Sequence, residues 1–149
     1  MTNKIMKTEK GKKSVVQYVF EVGKIVVKSG NSIYAIWYSD IVSIVIETKK
    51  SNSIRFNCHK GHDIIVEGTL VEIMKLLPEA DFIMVHKSFI ANMFHAIRFI
   101  KHRNTGVLHL TKDLEVNVSK VHFEEVEKAM YRGANFLDVS VVEVIKKGK

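Results

Sequence analysis

The chain has one cysteine and one proline in 149 residues, and its eight glycines are scattered. A lone cysteine excludes an internal disulfide, so the core must hold the fold unaided, and the cytoplasm is the expected compartment. The shortage of proline and glycine argues against low complexity. No apolar run approaches the roughly 20 residues of a membrane-spanning helix, and residues 1–13 lack the apolar block of a signal peptide. Reaction chemistry is equally thin. There is no GxGxxG, Walker A, G-x-S-x-G or paired-carboxylate pattern, so neither an enzyme, a cofactor nor a small-molecule substrate is expected. His59 and His62 lie near Cys58 without a fourth ligand, so no metal site is expected. Cys58 itself reads as a buried strand thiol.

What is present is a core-forming fraction of 46% apolar residues and a net charge of +7. That is enough for one domain without staples. The charge is uneven. Residues 1–30 carry seven lysines against two acids, residues 131–149 four basic residues against two acids, and residues 31–130 twelve of each. The basicity therefore sits at the ends. Within the neutral middle, acids gather in two helical stretches (Glu72, Glu79, Asp81; Glu124, Glu125, Glu127). Basic residues favour loops, such as Lys49, Lys50, Lys60, Lys87, Lys101 and Arg103. That separation is the electrostatic pattern of a surface that meets an anionic partner.

The periodicity predicts a β-rich domain over residues 25–130. Short Val/Ile/Tyr/Phe-rich runs at 24–28, 32–37, 41–46, 54–58 and 63–67 alternate with Gly-, Ser-, Asn- or Lys-containing breaks. Thr69 with Glu72 forms a capping-box pattern, Leu70, Ile73 and Leu77 follow at helical spacing, and Pro78 stops the helix. Further strands are expected at 96–102 and 106–111, with Lys112-Asp113 as a hairpin turn that lacks the favoured Asn-Gly. A second helix is expected to open at Ser119 as N-cap, bury Phe123, Val126 and Met130, and end at Gly133. Outside this domain lie a basic leader (1–24), partly disordered with a strand candidate at 14–21, and a C-terminal extension (131–149) with a strand candidate at 137–145. The most unusual stretch is FIMVHKSFIANMFHAIR (82–98), which sets His86, Lys87 and Ser88 inside an apolar run. Polar groups there are costly unless something binds them.

Four segments, in order, resemble the LytTR-type DNA-binding domain family. IVVKSGNSIYAIWYSDIVSI (25–44) is similar to the family's opening, EGTLVEI (67–73) to its short first helix, VHKSFIAN (85–92) to its central motif, and VNVSK (116–120) to the opening of its last helix. The resemblance implies a mostly β (β-rich α+β), elongated arrangement of short antiparallel sheets with two short helices. It also implies a bacterial transcriptional regulator that lays loops into the major groove of duplex DNA. Three contact regions follow by position: Lys49, Lys50, Ser51 and Asn52; His86, Lys87 and Ser88; Ser119 and Lys120. Family members often follow a receiver domain, for which the leader is too short. Control is then expected from abundance, from a homodimer, or from a separate regulatory partner such as a membrane-bound inhibitor.

Each residue also has a plainer reading. Lys87 reaches a guanine edge or a phosphate, or is a solvated turn lysine. His86 contacts DNA or is tied to backbone, holding the turn. Ser88 donates to a phosphate or, with Asn92, caps a short turn. Lys49, Lys50, Ser51 and Asn52 combine charge with an amide able to read adenine, or form an ordinary hairpin loop. Ser119 and Lys120 present a helix N-terminus to a phosphate, compatibly with capping. The competing function is a protein–protein interaction module that uses 14–21 or 137–145 as an edge strand, without direct DNA binding.

Overall fold

The structure is a computed structural model that describes residues 23–147. The strand candidate at 14–21 lies outside the described residues. Among the described residues ten strands and two α-helices follow in order: β1 (Lys24–Ser29), β2 (Ser32–Trp37), β3 (Ile41–Ile46), β4 (Ser53–Cys58), β5 (Ile64–Glu67), α1 (Leu70–Met74), β6 (Phe82–His86), β7 (Phe89–Asn92), β8 (Ala96–Lys101), β9 (Thr105–Leu110), β10 (Leu114–Ser119) and α2 (Phe123–Tyr131). They form a two-stranded hairpin β1-β2, a five-stranded sheet β5-β4-β3-β7-β6 and a three-stranded sheet β10-β9-β8. Every described pairing is antiparallel. The fold is thus mostly β with two helices, as the sequence indicated.

The five-stranded sheet is covered on both faces, which explains the run that looked anomalous in sequence. Phe82, Ile90, Ile41 and Ile44 point into one core, shared with Ile25 and Ile36 of the hairpin and Leu70 and Leu77 around α1. Ile83, Val85, Ala91 and Val42 point into a second core, shared with Leu108, Leu110, Val116 and Val118 of the three-stranded sheet and Val126 of α2. Successive residues of a strand face opposite ways, so a doubly covered strand must be apolar at every position. FIMV and FIA meet that demand. His86, Lys87 and Ser88 interrupt them because His86 ends β6 and Lys87-Ser88 turn the β6–β7 hairpin, where Lys87 is exposed. The turn reaches solvent, so their polarity there needs no bound partner.

Local signals set the helix starts and turns. Thr69 Oγ1 accepts from the Glu72 N–H at 3.2 Å, and Glu72 Oε1 accepts from the Thr69 N–H at 3.2 Å, closing the capping box. The regular helix ends at Met74, four residues before Pro78. The β9–β10 hairpin turns through Lys112 and Asp113 at φ +66° and +56°, a left-handed pair. Leu110 pairs with Leu114, so the connection is the three residues Thr111–Asp113, and the two left-handed residues reverse the chain within it.

Two expectations need correction. Ser119 ends β10 and precedes a 3-10 turn over Lys120–His122, but its side chain makes no capping bond, and α2 begins only at Phe123. Val118 is fully buried, so the strand carries the second core into the turn before the helix can start. The segment 137–145 forms no strand: it is exposed throughout and makes no described pairing. A strand exists through its partner's hydrogen bonds, and alternation alone does not supply one. No helix among the described residues is long and apolar enough to cross a membrane.

Candidate nucleic-acid interface

Two of the three expected contact regions meet at one end of the five-stranded sheet. β3 and β7 are neighbours, with Val45 opposite Phe89. The loop after β3 and the turn before β7 are therefore side by side. The Ile46 N–H donates to the Ser88 carbonyl at 3.2 Å, tying one to the other. Lys49, Lys50, Ser51, Asn52 and Lys87 are exposed there, and none of their side chains makes a hydrogen bond or ion pair among the described residues.

The β3–β4 loop is organised by a residue that sequence reasoning passed over. Glu47 is buried at its base, 7% exposed. Its Oε2 accepts the Lys49 N–H at 2.9 Å, and its Oε1 accepts from Arg55 Nε at 3.0 Å. Arg55 also pairs with Asp63 at 3.7 Å. The Lys49 backbone N–H is the first reason that the Glu47 carboxyl titrates below its usual value; burial opposes it and Arg55 reinforces it. The only sequence signal was an acid at a strand end facing an Arg across the hairpin. Asn52 takes φ +54°, a conformation that Asn tolerates better than most residues, and its carbonyl accepts the Gly68 N–H at 3.0 Å.

In the β6–β7 turn, His86 Nδ1 accepts the Ser88 N–H at 3.1 Å, and its ring lies 5.1 Å from that of Phe89. His86 is thus tied to backbone and holds the turn. The register shifts between Met84 and His86, a bulge that re-aims the strand end. Ser88 caps nothing. Asn92 instead caps the following 3-10 turn, accepting from the Phe94 N–H at 3.0 Å.

The third region stands at the end of β10, in the other sheet. Ser119 is half-buried opposite Thr105, and Lys120 is exposed. His122, three residues on, lines a cleft together with Met84, two residues before His86. The first turn of α2 carries Glu124 and Glu125, which compete with an anion for that helix end. Lys60, grouped in sequence with the loop lysines, lies after β4 at the opposite end of the sheet.

The opposite end is closed by polar contacts. Asn92, fully buried, donates to the Tyr38 carbonyl at 3.1 Å and the Ile41 carbonyl at 2.7 Å. His95 Nε2 lies 2.7 Å from the Ser39 carbonyl and its Nδ1 2.9 Å from Thr111 Oγ1. Burial holds its pKa below the ordinary histidine value, a neighbouring His59 adds to that, and the Ser39 and Asp40 oxygens oppose it. Lys112 Nζ crosses from the three-stranded sheet to the Cys58 carbonyl at 2.8 Å. Cys58 is buried, and its thiol is pushed up to about 11, chiefly by burial. Among the described residues no group of three or more His, Cys, Asp or Glu is placed to hold a metal ion.

One end of the sheet thus leaves its polar side chains in solvent, and the other commits Asn92, His95 and Lys112 to carbonyls within the fold. The LytTr DNA-binding domain family matches residues 31–131, and the chain belongs to that family. It is 30% identical over 109 residues to the sensory transduction protein LytT of Bacillus subtilis (strain 168), covering 72% of this chain and 44% of that protein. The chain therefore spans less than half the length of this curated relative. Its fold is similar to that of a solved LytTr DNA-binding domain of a methyl-accepting/DNA response regulator from Bacillus cereus. The TM-score is 0.59 at 21% identity, covering 72% of this chain and 96% of that one.

Proposed function

We propose that the domain binds duplex DNA, and that it serves as a bacterial, cytoplasmic transcriptional regulator whose loops enter the major groove. The observation that carries this reading is the meeting of Lys49, Lys50, Asn52 and Lys87 at one end of the sheet, exposed and without side-chain partners among the described residues. Lysines supply phosphate affinity, and Lys87 and Asn52 supply donors that match guanine and adenine edges. His86 acts by positioning the turn. Ser119 and Lys120 add a contact from the 3-10 turn before α2. Salt-titrated binding to genomic duplexes, with selection of the bound fragments, tests it. Each phosphate neutralised contributes about −0.9 to the log–log slope. A flat salt response or no binding at low salt defeats the proposal.

One observation favours a second, compatible reading, self-association. Phe136, Leu137, Val139, Val141, Val142, Val144 and Ile145 are each 63–96% exposed. An uncovered apolar stretch of this kind favours a partner, and a second copy would set two DNA-binding domains on one duplex. Deleting residues 137–149 and measuring mass in solution tests it. A full-length chain that stays monomeric at high concentration rules out the dimer. A separate regulatory partner would use the same segment, without direct DNA contact.

A further inference from the structure

The β8–β9 hairpin tip, which neither the sequence motifs nor the family resemblance singled out, lies beside the third contact region. Ser119 pairs with Thr105, the first residue of β9, and Thr105 Oγ1 reaches the Val118 carbonyl at 3.4 Å. Immediately before Thr105 come His102, Arg103 and Asn104, all exposed. The His102 N–H donates to the Thr105 carbonyl at 2.9 Å, which closes the turn.

The strand that leaves the tip is closely packed at Gly106. A Cβ on Gly106 would come within 2.8 Å of the Phe99 ring, 3.0 Å of the Phe123 ring and 3.2 Å of the Ile100 carbonyl. The absence of that atom leaves room over β9 for the Phe99 and Phe123 rings, which meet edge to face at 5.6 Å. The nearby acids are occupied: Glu127 pairs with Lys101, Glu125 with His122 and Glu124 with Lys128. Arg103 makes no ion pair among the described residues. An exposed guanidinium, one strand away from Lys120 and without an ion pair among the described residues, is suited to a phosphate, whose oxygens match its fork.

We infer that Arg103, with the Asn104 amide beside it, contacts the DNA backbone just outside the Ser119–Lys120 contact. The inference rests on the DNA-binding reading and extends the footprint by one element. Neighbouring strands are about 4.8 Å apart, and phosphates of one DNA strand rise about 3.4 Å each along the axis. The tip therefore adds roughly one or two phosphates at one flank. It carries no base reading, because a contact to phosphate positions without specifying.

The test compares the full chain with Arg103→Ala, Arg103→Lys and, as a remote control, Lys60→Ala at the opposite end of the sheet. The probes are a random-sequence duplex and a duplex selected from genomic fragments. The readouts are salt-titrated anisotropy and hydroxyl-radical footprinting, with thermal melting to confirm folding. Arg103→Ala should make the salt slope shallower by about 0.9. It should weaken both duplexes by the same factor and expose one flank of the footprint. Arg103→Lys should restore the slope, and Lys60→Ala should change neither. If the wild-type chain binds but Arg103→Ala leaves slope and footprint intact, this inference falls and the DNA reading stands. A loss confined to the selected duplex overturns the phosphate assignment. A wild-type chain without salt-dependent binding overturns both.

Discussion

At one end of the five-stranded sheet, the carbonyls of Tyr38, Ser39, Ile41 and Cys58 each receive a side-chain donor. The donors are Asn92, His95 and Lys112, from segments more than fifty residues away in sequence. At the other end, Lys49, Lys50, Ser51, Asn52 and Lys87 are as rich in donors, yet their side chains stay in solvent. The polar groups are similar in kind and opposite in use. Where donors are spent on carbonyls inside the molecule they fix the fold, and where they are left over they are available to a partner. A polar side chain's type therefore says little about function until its commitments within the fold are known.

Breaking the closed end should give the largest effect. Asn92→Ala removes a fully buried amide that bonds the Tyr38 and Ile41 carbonyls and the Phe94 N–H, and should cost about 2–4 kcal/mol in urea unfolding. A loss under about 1 kcal/mol would erase the contrast between the ends. Next, Lys87→Ala should leave stability within about 0.5 kcal/mol. It should weaken binding to a specific duplex by about 1–3 kcal/mol if Lys87 reads a base, and more than Lys75→Ala does. Equal effects of the two substitutions would remove Lys87 from the interface.

The third effect depends on pH. Because folding lowers the His95 pKa from its ordinary 6.5, the unfolded chain binds more protons between the two values. The His95 contribution to stability is then complete above about pH 6.5 and is lost as pH falls through the folded-state value. Denaturation midpoints should drop on acidification in the wild type, with a flatter profile in His95→Gln. Parallel profiles would show that the junction does not sense the proton. The smallest effect belongs to the open end. Asn52 already sits at φ +54°, so Asn52→Gly should change stability by less than about 0.5 kcal/mol. Any fall in affinity for a selected duplex beyond that for a random one then reports on the lost amide.

Features governed by a few consecutive residues were legible in the sequence. The Thr69–Glu72 capping box, the burial of Val126 and the Lys112-Asp113 turn came through, the last despite lacking glycine. Features that need a distant partner did not. The alternation at 137–145 pairs with no strand among the described residues. Ser119 fails as a helix cap because Val118 belongs to the second core. His86, Lys87 and Ser88 looked like costly polar insertions because nothing local reveals that β6 and β7 are covered on both faces. The candidate site was half legible: its lysines stood out by position in the resemblance, while Glu47, which shapes the loop, and the adjacency of that loop to Ser88 depend on β3 meeting β7.

That meeting has a kinetic side. Within the five-stranded sheet, β4 follows β3, β5 follows β4 and β7 follows β6 through short connections, and such hairpins close on a timescale of microseconds. The β3–β7 ladder alone joins distant segments, setting Ser43 opposite Ala91, Ile44 opposite Ile90 and Val45 opposite Phe89. The intervening chain must surrender its loop-closure entropy before those three rungs return anything. Assembly of the whole domain should therefore wait on this seam. Since the same seam sets the two loops side by side, the proposed DNA-facing surface should be among the last parts of the molecule to exist.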